Sequence, residues 1–139
     1  MSNFEGQTIY LDAAELRRLV SKALLMMTKQ YRVEVGARAM QATGDIIADF
    51  VMAYEFKQER YWHFKRLCAR FEVLKIDLRM IVNDGLLQSP HPVTHERPET
   101  IALQMFERVA KIDEAIGRWK TKIVVRQARP SPQDDGSSD

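Results

Sequence analysis

Three histidines and one cysteine are the side chains here that could serve metal or nucleophilic chemistry. His91 and His95 stand four residues apart, a spacing two helical imidazoles can use to share a cation. They fall among Pro90, Pro92 and Pro98, however, and no cysteine or carboxylate set completes a ligand shell. No metal site and no cofactor is therefore expected. Cys68 has no second cysteine to pair with, and it lies beside Leu67 and Phe71, so it reads as a buried thiol in a reducing cytoplasm. A phosphate-binding glycine loop, G-x-S-x-G and H-E-x-x-H are all absent. Asp45 and Asp49, an i,i+4 pair, read as a solvated acidic face, and His63 as a residue at the edge of a core. No catalytic residue is assigned.

The basic side chains offer more. Net charge is only +2, but it is unevenly placed. Residues 57–79 hold Lys57, Arg60, Lys65, Arg66, Arg70, Lys75 and Arg79 against Glu59, Glu72 and Asp77, whereas 31–56 are net acidic. Such a field suits an anionic partner, because lysine and arginine neutralise phosphates and release counterions. Arg17, Arg18, Lys65, Arg66, Arg70 and Arg79 are the candidates for contact with nucleic acid or an acidic partner.

These residues need helices to position them. Apolar side chains recur at threes and fours, with glycine and proline confined to the ends and connections. Four helices are expected, at about 12–30, 33–56, 58–83 and 99–125, with no strand. The first opens on Asp12 with Glu15 three residues on, a capping pattern. Its apolar face is Leu16, Leu19, Val20, Ala23, Leu24 and Met27. The second helix buries Gly36, Ala39, Met40, Thr43, Ile47, Phe50, Val51 and Tyr54. The third stops at Asn83-Asp84-Gly85. The fourth, with Pro98 in its first turn, turns Met105, Phe106, Val109, Ile112, Ile116, Trp119 and Ile123 inward. Asp113 borders that face and needs a salt bridge, with an arginine of the first or third helix as its expected partner. Short connections imply an up-down-up-down bundle over 1–126, followed by a disordered tail at 127–139. No apolar run is long enough to span a membrane, and no secretory leader is expected.

The third helix carries two apolar stripes. Phe64, Leu67, Phe71, Leu74, Leu78 and Ile81 form one. Trp62, Ala69, Val73, Ile76 and Met80 form the other, nearly opposite. A small bundle buries one of these, so the second predicts an interface between copies of the chain.

Three runs carry a resemblance to a known family. They are Tyr31-Arg32-Val33-Glu34-Val35-Gly36-Ala37-Arg38 with Ala42-Thr43-Gly44-Asp45-Ile46-Ile47 and Ala53-Tyr54; Leu74-Lys75-Ile76-Asp77-Leu78-Arg79; and Ile112-Asp113-Glu114-Ala115-Ile116-Gly117-Arg118-Trp119-Lys120. In this order they resemble the accessory variability determinant (Avd) proteins of diversity-generating retroelements, and the related bundle proteins of ribosomal RNA intervening sequences. The likeness covers about residues 20–123. It implies a homopentameric barrel of four-helix bundles with no catalytic activity. It also implies binding to the retroelement's reverse transcriptase and to template RNA or cDNA, in support of mutagenic copying. The competing expectation is a helical oligomeric scaffold with no nucleic-acid role.

Overall fold

The computed structural model describes the backbone of residues 7–128 and the side chains of 7–122. All regular structure among these residues is helical. Helix α1 is Thr8–Leu24. Helix α2 runs through 29–55 in three consecutive pieces: Lys29–Tyr31, a π-helical turn at Arg32–Gly36, and Ala37–Glu55. A 3-10 turn, Lys57–Glu59, leads into α3 at Arg60–Asn83, and α4 is Pro98–Ala128. The last helix thus runs two residues past the expected end of the domain. Residues 129–139, the rest of the expected tail, lie outside the described residues, as does the Ile123 side chain.

Cross-helix pairs fix the topology. Arg17 reaches Thr43 while Leu24 O accepts from Arg32 between α1 and α2, and Arg38 reaches Asp77 while Arg66 reaches Asp49 between α2 and α3. Lys75 meets Asp113 between α3 and α4, and Lys22 meets Glu96 while Asp12 meets Arg108 along α1 and α4. In each doubly marked pair one number rises as the other falls, so neighbouring helices are antiparallel. The bundle runs up-down-up-down. Helix α1 packs on α2 and α4, α2 packs on α3, and the α3–α4 seam is the loosest. The core gathers Leu16, Leu19, Phe50, Phe64, Leu67, Phe71, Leu74, Leu78, Ile101, Met105 and Ile112, all essentially buried.

The helix ends have local causes, and some differ from the sequence expectation. Asp12 does not cap α1. The helix begins a turn earlier and buries Ile9 along with Ala13, while the Asp12 carboxylate is itself buried and accepts from Arg108 Nη1 at 2.8 Å. Extending the apolar face by one turn outweighs a solvent-exposed cap here. At the α1–α2 corner, Arg32 donates to the Leu24 and Met27 carbonyls, and so ties the start of α2 to the turn that follows α1. The α2–α3 corner has neither glycine nor proline. Instead Phe56 leaves helical geometry (φ −112, ψ 89), and Arg60 staples the end of α2 by donating to Ala53 O at 2.7 Å and Tyr54 O at 3.0 Å. Gly85 adopts φ +70 and lets the Leu86 N–H return to Ile81 O at 2.9 Å, the stop expected after α3.

Helix α2 buries Ile46, Asp49 and Ala53 besides Gly36, Ala39, Thr43 and Phe50, whereas Ile47, Val51 and Tyr54 are only half-buried. The buried arc is broad because α2 lies between two neighbours.

Candidate interaction surface on α3

Helix α3 has both stripes where the spacing predicts them. Phe64, Leu67, Phe71, Leu74, Leu78 and Ile81 are buried. On the opposite side Trp62, Val73 and Ile76 are 56%, 55% and 59% exposed. Ala69 is exposed as well, and Met80 is half-buried. Large apolar side chains are seldom left open in a line four turns long without a covering partner. The α2–α3 corner adds Met52, Phe56 and Tyr61, exposed residues that periodicity along α3 alone does not reveal.

The cations around this face divide into paired and unpaired groups. Arg66 lies over the Trp62 ring, Cζ to centroid 4.6 Å, and donates to Asp49 Oδ1 at 3.1 Å. Arg70 Nη1 stands 3.3 Å from Asp49 Oδ2 and 4.0 Å from Asp45. Asp49 is not on a solvated face as expected. Its side chain is 2% exposed, and Oδ2 meets Arg70 as a charge contact without hydrogen-bond alignment. A buried carboxylate requires such neighbours, and two arginines of α3 supply them. Arg38 makes a two-point contact with the buried Asp77 at 3.0 and 2.8 Å. Lys65 is exposed, with Nζ 5.4 Å from the Tyr61 ring. Arg79 is exposed and has no ion-pair partner among the described residues.

The α1 candidates do not join this surface, because α1 packs on α2 and α4 rather than on α3. Arg17 is a clasp between α1 and α2, donating to Met40 O and Thr43 Oγ1 at 3.3 Å each. Gly44 leaves it room, since a Cβ there would stand 2.6 Å from the guanidinium. Arg18 is bound to Glu15, and that hydrogen bonding holds the Glu15 carboxyl below its usual range and raises the Arg18 guanidinium.

The groups first considered for chemistry have structural settings. His63 is not at a boundary but buried, because the α2–α3 corner closes over it. Its Nε2 stands 3.0 Å from Glu59, its ring meets Trp62 edge-on, and its Nδ1 has no hydrogen-bond partner among the described residues. His91 is also buried, and His95 is exposed in a left-handed conformation, φ +63. Among the described residues no three His, Cys, Asp or Glu side chains gather as metal ligands would. Cys68 is half-buried rather than buried. It lines a groove of about 380 Å3 along the loose α3–α4 seam with Phe71, Glu72, Ile116 and Lys120. Burial pushes its thiol up, with Lys120 opposing and Glu72 reinforcing. Asp113 takes Lys75 of α3 as its partner, at 3.0 Å, not an arginine, and is itself exposed. Trp119 is half-buried against Phe50 and Phe64.

No family model, curated protein or solved structure matches this chain. Within the fold the three runs singled out in the sequence meet through Arg38 with Asp77 and Asp113 with Lys75. No described helix is long and apolar enough to cross a membrane.

Proposed function

We propose that this chain is a non-catalytic helical subunit that assembles with copies of itself through the outer face of α3. The exposed line Trp62, Ala69, Val73 and Ile76, continued by half-buried Met80 and opposite a complete core stripe on the same helix, carries this reading. Following the Avd resemblance, the assembly is a pentamer in a reducing cytoplasm. It docks a reverse transcriptase and holds template RNA or cDNA during mutagenic copying. Lys65 and Arg79, which pair with no carboxylate among the described residues, are the first candidates for phosphate contact, and ring symmetry would repeat them around the assembly.

Light scattering on the purified protein tests the assembly. One chain is 16.1 kDa, so a closed ring of five weighs about 80 kDa. A mass near that value supports the reading, and a stable monomer at micromolar concentration overturns it. Titration of fluorescent single-stranded RNA tests the nucleic-acid role, which predicts binding that weakens as salt rises.

One observation favours a second reading, a scaffold with no nucleic-acid role. Of the six basic candidates, Arg66, Arg70 and Arg18 are matched by Asp49 and Glu15, and Arg17 is held by Met40 O and Thr43 Oγ1. Correct assembly without salt-sensitive RNA binding would select it.

A further inference from the structure

The connection between α3 and α4 is held shut by a histidine acting as a backbone cap. His91 Nδ1 accepts hydrogen bonds from the N–H groups of Val93 and Thr94, both at 3.1 Å. The same turn is closed by His91 N–H to Glu96 O and His95 N–H to His91 O, each 2.9 Å. Two further ties bind the connection to α1 and the turn that follows it. Gln88 and Ser89 N–H both reach Met26 O, and Lys22 Nζ meets Glu96 Oε1 at 2.7 Å, an oxygen that also accepts from the Thr94 hydroxyl.

Two backbone donors aimed at one imidazole nitrogen require a lone pair there. An imidazolium carries N–H on both nitrogens and cannot accept. Protonating His91 would therefore turn two hydrogen bonds into two donor–donor contacts at a side chain only 7% exposed. The nearest charges then compete. Glu96 would attract the imidazolium, but its carboxylate is engaged by Lys22 of α1 and by Thr94. His95, exposed in the same turn, would add positive charge on protonation and holds a left-handed conformation that release of the turn would relieve.

We propose that residues 88–97 form an acid-released latch: neutral His91 holds the turn closed against the end of α1, and protonation of His91 opens it. The sign follows from linkage. The closed turn excludes a proton at Nδ1 and the open one accepts it, so closure is favoured while the imidazole is neutral and weakens as acid supplies that proton. Release would uncover the Met26 end of the bundle, where Leu25, Val33 and Val93 are already exposed.

The test is amide hydrogen exchange on the full chain between pH 7.5 and 5.0, corrected for the intrinsic pH dependence of exchange. The opening equilibrium at Val93 and Thr94 should rise by up to about tenfold per pH unit as the pH is lowered, while core amides of Leu67 and Leu78 in α3 stay protected. His91→Asn keeps an acceptor oxygen that does not titrate, so its turn should stay closed throughout. His91→Phe keeps a ring with no acceptor, so its turn should be open at both ends of the range. Flat exchange at Val93 and Thr94 in the wild type, or the same acceleration in His91→Asn, overturns the latch. Loss of protection at Leu67 and Leu78 in step with the turn overturns it as well, because the event would then be unfolding of the bundle.

Discussion

Asp49 shows how one buried carboxylate can govern a basic surface. It is enclosed, and it holds Arg66 and Arg70, each still partly open to solvent. Asp49→Ala should lower unfolding stability by roughly 1–3 kcal/mol, since a charge-assisted buried contact is lost. It should also free both guanidinium groups, so polyanion binding should tighten and its salt dependence steepen. Denaturant melts and an RNA titration check this; tighter binding with no loss of stability would mean Asp49 does not anchor the pair. Cys68 gives a second residue-level expectation. Burial favours its thiol over its thiolate, so the folded protein should react with iodoacetamide more slowly than a free cysteine at pH 8, gaining as pH rises. The raised value also means that this group contributes stability below the ordinary thiol range and loses it as pH rises through the folded value. The Glu15–Arg18 pair runs the other way. Its contribution is present above the ordinary carboxyl range and is lost as pH falls through the lowered value, and its exposure keeps it small.

At the scale of the element, the glycines separate by what surrounds them. Gly85 takes a left-handed φ of +70, so Gly85→Ala should cost about 1 kcal/mol even though nothing crowds the site. Gly117 lies within α4, exposed, with nothing within 4 Å of an added Cβ. Gly117→Ala should raise the stability of the isolated chain by about 0.5–1 kcal/mol, the usual helix preference. Thermal melts of the two variants should move in opposite directions; a parallel shift would contradict the assigned backbone at one of them. The element ends were only partly legible. Gly85 and the run of apolar positions announce where α3 stops, but the α2–α3 corner depends on Arg60 binding the Ala53 and Tyr54 carbonyls, a contact no local pattern encodes.

For the whole molecule the decisive property is the open stripe on α3. The double variant Val73→Glu with Ile76→Glu puts charge on exposed positions and leaves the core stripe untouched. It should keep the wild-type helical circular dichroism, with its melting midpoint following the loss of assembly, and should sediment as a single chain of about 16 kDa. Unchanged mass would remove this face from any interface.

Periodicity along the chain determined the helical class, the number of helices, both stripes of α3 and the glycine stop, because these depend on residues a few positions apart on one helix. Tertiary structure alone decided which charges are matched between helices. Asp12 meets Arg108 across 96 positions, Arg38 meets Asp77 across 39, and Asp49 turns inward because α2 is covered on two sides. A carboxylate reads the same in sequence whether water or an arginine solvates it. Only the packing of the helices settles which, and that choice sorts the basic residues into those that hold the fold and those left for a partner.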